Sequence, residues 1–404
     1  MTQRTTHPDG HPESSDHSVV AAPLGAHPLA RLIADEIRER GGWMSFERYM
    51  ELALYTPGLG YYSGGRRVLG QGPQDGSDFV TAPELTPLFG QTLATQVIQA
   101  LEATSTSEVW EFGAGSGALA IQLLGNLGDR IQRYTIVDLS GTLRDRQHHT
   151  LVKALPEMAH KVVWADSLPD QLQGVIVGNE VLDAMPVQLL TWTGEQWLER
   201  GVGLAGDEDE AAFVWADQAA PPGARAPTER PDSEFVPGTV VETHGQAEAF
   251  IATLAQRMTR GAAFFIDYGF PEGEYYHPQR TGGTLMCHQG HQSDPDPLVN
   301  VGEKDITTHV NFTGIALSGQ ENGWEVLGYT TQGRFLANCG LLAQLGKAGG
   351  DGSGTSATDF KTRAAAQMLI AEHEMGELFK VIGFVKGAWF DAIGFSQGDR
   401  THTL

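Results

Sequence analysis

Five short apolar runs in this 404-residue chain end in acids, and those acids are the residues best placed to do chemistry. Val109-Trp110-Glu111-Phe112 opens into Gly113-Ala114-Gly115-Ser116-Gly117, and Tyr134-Thr135-Ile136-Val137 ends at Asp138. The run 161–165 ends at Asp166, the run 174–178 at the pair Asn179-Glu180, and the run 262–266 at Asp267. A glycine loop between an apolar run and a helix is the first half of a nucleotide-binding βα unit, and an acid after the next strand accepts ribose hydroxyls. The glycine spacing is G-x-G-x-G rather than the dinucleotide G-x-G-x-x-G. Glu111, just before the loop, repels a pyrophosphate but attracts an amino group or a sulfonium. The expected ligand is therefore S-adenosylmethionine (SAM), held by Glu111, Gly113, Gly115, Gly117, Asp138 and Asn179, with Asp166 accepting from the adenine amino group. Taken alone, the glycine loop also reads as an ordinary βα turn.

Acids gathered at strand ends require a parallel sheet whose crossover helices return the chain to the same edge. The expected fold is α/β: a Rossmann-like class I methyltransferase core with a mostly parallel seven-stranded sheet and helices on both faces. Residues 109–187 and 240–404 form this core, interrupted by an insertion at about 270–310. Residues 28–108 read as a helical and loop extension forming part of the substrate cleft. Leu29, Leu32, Ile33 and Ile37 share a helix face, Gly41-Gly42 breaks that helix, and Ser45 caps a second one through Tyr55. A helix starting near Thr86-Pro87 leads into the first strand. Residues 188–239 are an inserted hairpin and loop region, because Leu190, Trp192, Trp197, Phe213 and Trp215 follow strand alternation and Asp207–Glu210 mark a loop tip. Helical spacing from Ala247 ends at Gly261; strands follow near 324–331 and 381–390, with a helix at 361–379 and a Gly/Ser loop at 347–356.

Composition narrows the partners. A net charge of −23 argues against nucleic acid, whose phosphates demand a positive surface. It is compatible with a cationic peptide. No apolar stretch approaches a membrane span. Two cysteines, Cys287 and Cys339, provide no disulfide framework and fit a reducing compartment. Residues 1–27 read as a disordered tail without an apolar signal region, carrying Asp9, Glu13 and Asp16, which import presequences avoid; the expectation is a bacterial cytoplasm.

The chain resembles the MidA / mitochondrial complex I assembly factor 7 family of SAM-dependent methyltransferases. The matching stretches are Tyr55-Thr56-Pro57-Gly58-Leu59-Gly60-Tyr61-Tyr62, the block from Asp78-Phe79-Val80-Thr81 to Phe89-Gly90, the glycine loop, and Gly178-Asn179-Glu180-Val181-Leu182-Asp183-Ala184-Met185-Pro186. Ile266-Asp267-Tyr268-Gly269, Asp296-Pro297-Leu298 and Asp305-Ile306-Thr307-Thr308-His309-Val310-Asn311-Phe312 complete the series, in family order from about residue 45 to 390. The resemblance implies a SAM-using enzyme whose mitochondrial members methylate an arginine of a respiratory complex I subunit. It matches Glu180 and Asp183 to the family's acidic motif. Ahead of His291 this sequence has Met286-Cys287-His288-Gln289-Gly290 where the family tends to carry an aromatic and a basic residue, so the acceptor can differ.

Methyl transfer from a sulfonium is an in-line displacement, for which an enzyme supplies proximity, alignment and electrostatics. Two carboxylates can fork onto a guanidinium and fix its plane. Glu180 and Asp183, at i and i+3, meet on one side of a helical turn after the fourth strand. The alternative is that Asp183 caps a following helix while Glu180 binds cofactor. His309 is placed to take the departing proton, its ordinary pKa lying near neutrality, or else is a satisfied structural histidine. Tyr61, Tyr62, Asp267, Tyr268, His291 and Asp305 are the expected substrate-side residues, the tyrosines equally readable as packing. Cys287-His288-x-x-His291 lacks a distant fourth ligand, so no metal is expected. Two other functions stay open: a small-molecule methyltransferase, and a SAM-binding assembly or scaffold protein.

Overall fold

The structure, a computed structural model, describes residues 24, 27–64, 80–138, 141–207, 211–348 and 357–404. Most of the expected tail, Asp78-Phe79 of the long motif, 208–210 of the acidic run and 349–356 of the Gly/Ser loop lie outside the described residues.

Seven strands build the main sheet: β1 (Glu108–Phe112), β2 (Arg133–Val137), β3 (Val162–Ala165), β4 (Leu172–Asn179), β5 (Met258–Phe270), β6 (Glu325–Thr331) and β7 (Phe379–Lys386). They lie in the order β3-β2-β1-β4-β5-β7-β6. The first five run parallel, and β7 is antiparallel to both neighbours. The order reverses between β1 and β4, and ligands of doubly wound sheets bind outside the strand ends at such a switch point. The short strand Val310–Asn311 extends the end of β5 in parallel.

Period-two alternation divides each central strand between two cores. Val109, Val175, Val177, Phe264 and Ile266 pack with Leu88–Thr104 and Ala118–Leu127 on one face. Trp110, Ile176, Ala263 and Phe265 pack with Gly245–Arg257 and Phe312–Glu321 on the other. This apolar burial on both faces, at roughly 25 cal/mol per Å² of surface removed from water, is what holds the sheet edge rigid beneath the site.

A second, antiparallel sheet runs Trp43–Ser45, Trp197–Ala205, Gln188–Trp192, Val240–Thr243, with Ala212–Ala219 also paired to Trp197–Ala205. The expected hairpins are present, and the strand at Trp43–Ser45 is an addition that its three residues do not announce. Helices Pro28–Glu39 and Phe46–Tyr55 lay Leu29, Ile33, Ile37, Phe46 and Tyr49 against Val202 and Phe213 of this sheet. Ser45 Oγ accepts from Arg48 N at 3.3 Å, the cap its position predicts. A three-stranded sheet, Met286–Gln289, Gln292–Asp294 and Asp305–Thr307, forms within 270–310.

Three local expectations are corrected. Gly261 does not end the helix: that helix stops at Arg257, and the chain passes directly into β5. Gly261 is needed there because a Cβ would stand 1.9 Å from Gly174 O of β4. The helix expected at 361–379 is two, Ala357–Ile370 and Met375–Leu378, separated where Gly376 packs on the Ile370 backbone. Asp267 is not at a strand end, since β5 continues to Phe270.

Candidate active site

The loop after β1 turns through three left-handed glycines, Gly113 (φ +65°), Gly115 (φ +53°) and Gly117 (φ +86°), a conformation that side-chain-bearing residues rarely adopt. A Cβ on Gly113 would come within 2.9 Å of Val181 Cγ2. Ser116 Oγ donates to Glu84 and accepts from Ala118 N, so the block after Thr81 latches the loop. Gln122 reinforces the latch, donating to Pro83 O at 2.7 Å and accepting from Gly90 N at 2.9 Å. Glu84 and Gln122 carry no sequence signal for this role.

A cavity of about 910 Å³ opens over this loop. Its walls include Glu111, Gly113, Gly115, Asp138, Asp166, Asn179, Glu180 and Asp183, together with Tyr55, Tyr62, Tyr268, His288, Asp305 and His309. Glu111 is 2% exposed and accepts from Tyr134 Oη at 2.7 Å. Burial pushes its carboxyl up to about 8, against the lowering effect of that hydrogen bond. Asp138 follows β2 and accepts from Gln147 Nε2 at 2.8 Å. Asp166, exposed, is held by Arg144, which also donates to Asp138 O at 2.8 Å and Ala165 O at 3.1 Å.

Glu180 and Asp183 come together on one wall, but not on a helix. No helix follows β4: residues 181–187 form a turn leading into Gln188–Trp192, and Glu180 takes a left-handed φ of +54° with its N–H on Ile266 O at 2.9 Å. Both the helical-turn geometry and the helix-cap alternative for Asp183 are thereby corrected. The physical reason is Asp267, whose Oδ2 gathers the amides of Val181, Leu182 and Asp183 at 3.1, 2.9 and 3.3 Å and so shapes the turn. Asp267 is 1% exposed and does not line the cavity.

Burial pushes Glu180 up to about 8, and the charge of Asp183 adds to the rise. Asp183 is pushed up to about 6 by burial, opposed by the hydroxyl of Tyr268, which donates to its Oδ2 at 2.5 Å. Asp183 Oδ1, Asn179 Oδ1 and His309 Nδ1 are buried without a partner. Buried polar atoms of this kind ordinarily find one, so these point to a ligand. His309 stacks on Phe270, ring centroids 5.0 Å apart. Its pKa is lowered to about 4 by burial and by the cations Arg280 and Lys380, rather than lying near neutrality as expected.

Tyr62 donates to both oxygens of Asp305 at 2.9 and 3.0 Å, and Tyr55, which sequence reasoning did not single out, donates to Ala184 O at 2.8 Å. Tyr61 is buried behind Tyr62, and His291 sits at the turn between Met286–Gln289 and Gln292–Asp294; neither lines the cavity. Strand alternation instead directs Met286 and His288 to the cavity and buries Cys287 on the opposite side. Among the described residues no cluster of histidine, cysteine and acids is arranged for a metal, and no helix is long and apolar enough to cross a membrane.

The sheet order, the glycine loop and the ring of acids over it define a class I SAM-dependent methyltransferase. The chain belongs to the MidA / mitochondrial complex I assembly factor 7 family, and the family model described as S-adenosyl-L-methionine-dependent methyltransferase matches residues 92–330. A COG1565 superfamily member from Burkholderia thailandensis, in a crystal structure with bound S-adenosyl-homocysteine, shares the fold at a TM-score of 0.86 and 49% identity, covering 93% of this chain and 96% of that one. The mouse mitochondrial protein arginine methyltransferase NDUFAF7 is 28% identical over 383 residues, 87% of this chain and 83% of its own. Its Caenorhabditis elegans homologue is 27% identical over 353 residues, 80% of this chain and 79% of its own. SAM is the cofactor, and the site suits it: a cradle of three left-handed glycines, at the first of which a Cβ would crowd Val181, acids along the cavity wall, and unpartnered buried oxygens on Asn179 and Asp183.

Proposed function

We propose that this enzyme methylates a guanidinium nitrogen of an arginine side chain in a protein substrate. The observation that carries the reading is the pair of acids Glu180 and Asp183 on the wall of a cavity whose lining, among the described residues, holds five further acids, Glu51, Glu111, Asp138, Asp166 and Asp305, and no lysine or arginine.

 A site this rich in acids takes a cationic acceptor, whose charge favours their ionised forms, and the planar fork of a guanidinium matches two carboxylates side by side.

When bound, SAM supplies an electrophilic methyl on its sulfonium. The chain's own residues do the rest. Glu111 meets the amino group, Asp138 the ribose hydroxyls and Asp166 the adenine edge, as their positions at the strand ends allow. Asp183, steadied by Tyr268, orients the guanidinium through its unpartnered Oδ1. The free guanidinium holds its proton with a pKa above about 12, so a nitrogen lone pair becomes available only as the proton leaves. Glu180, pushed up to about 8 by burial, is drawn into its ionised form by the charge of the bound guanidinium and, as the more basic of the two acids, accepts that proton. His309, lowered to about 4, is neutral at pH 7 and serves as a hydrogen-bonding wall.

The test is transfer of labelled methyl groups from SAM to protein, followed by acid hydrolysis and amino-acid analysis. The complex I subunit implied by the family resemblance is the first acceptor to try. Label in methylarginine, lost in Asp183→Asn, supports the reading; label on another amino acid or on a small molecule overturns it.

A further inference from the structure

We infer that Gln147 is a positioning residue for the cofactor, setting the glycine loop and the Asp138 carboxylate in one register. Gln147 is fully buried on the helix Gly141–Ala154 and does not line the cavity. Its Nε2 donates to Gly115 O at 3.0 Å and to Asp138 Oδ2 at 2.8 Å. Its Oε1 accepts from Trp164 Nε1 of β3 at 2.9 Å. The atoms nearest a Cβ built on Gly117 are also those of Gln147, at 3.6 and 3.7 Å.

One amide therefore bonds the loop at Gly115, the acid after β2 and the strand beyond it, while the stem of the same side chain lies beside Gly117. Each contact uses a different capacity of the amide: two N–H donors and one carbonyl acceptor. A carboxylate would lack the two donors, and an apolar side chain would leave Gly115 O and Asp138 Oδ2 without this donor. Trp164 fixes which way the amide faces, because indole N–H can only donate. The glycine loop and Asp138 line the same cavity, so their relative placement decides whether one adenosine ligand can engage both at once.

The inference rests on the assignment of Asp138 to the ribose hydroxyls, and the experiment separates the two. Calorimetric titration compares S-adenosyl-homocysteine with its 3′-deoxyribose analogue on wild type, Gln147→Leu and Trp164→Phe, with thermal melting as the folding control. The wild type is expected to prefer the hydroxylated ligand about tenfold, the size of one good hydrogen bond to a charged group. In Gln147→Leu that preference collapses towards one. Trp164→Phe, which frees the amide without removing it, reduces it partway and answers the question should the leucine variant fail to fold. A wild type without preference removes the Asp138 assignment. A wild-type preference retained in the folded variants overturns the role of Gln147, because a merely structural residue weakens both ligands equally.

Discussion

Tyr268 donates its hydroxyl to Asp183 Oδ2 at 2.5 Å while Asp183 Oδ1 stays buried without a partner. One oxygen is thus committed to the protein, and in the proposed reaction the other is the one that meets the acceptor. Removing the hydroxyl with Tyr268→Phe is expected to lower kcat about tenfold or more and to leave SAM affinity within a few-fold, since the ring still packs against Phe379. Steady-state kinetics with each substrate varied in turn checks this; a loss confined to SAM affinity would place Tyr268 on the cofactor side instead.

Asp183→Asn keeps the shape of the side chain and removes its charge. Methyl transfer is expected to fall by at least a hundredfold, because an amide cannot pair with a cation. Calorimetric SAM binding should persist. Undiminished transfer would eliminate Asp183 from the acceptor site.

Glu111 links stability to pH. Its carboxyl is raised from 4.5 to about 8 by burial. An acid raised on folding contributes stability that is fully present below its unfolded pKa and is lost as pH rises through its folded one. Relative to Glu111→Gln, the ligand-free wild type should therefore lose stability between about pH 4.5 and 8, by at most ~1.4 kcal/mol per pH unit. Urea unfolding of both proteins at several pH values measures the difference; a constant offset would mean that folding does not raise the Glu111 pKa.

Gly261→Ala is expected to destabilise the protein by about 3 kcal/mol or more. The new methyl would stand 1.9 Å from Gly174 O, and φ is +150° there, so the parallel pairing of β4 and β5 must open. Chemical denaturation reads the loss directly, and a shift below about 0.5 kcal/mol, the range of ordinary surface substitutions, would show that the strands can separate locally.

The sequence by itself determined the parts whose information is local. Apolar runs identify β1 to β5, though not where β5 ends, because strand alternation and burial act on neighbouring residues, and the glycine spacing with Glu111 distinguishes SAM from a dinucleotide. Ser45 capped its helix as its type and place require. Tertiary structure decided whatever depended on partners distant in the chain. Asp267, from β5, turned the segment after β4 into a non-helical bend and so set where Glu180 and Asp183 face. Arg280 and Lys380, together with burial, lowered the pKa of His309. Gln147, unremarkable on its helix, came to rest between Gly115 and Asp138. Hydrogen-bond partners and desolvation are properties of the packed chain, and no spacing along the sequence encodes them.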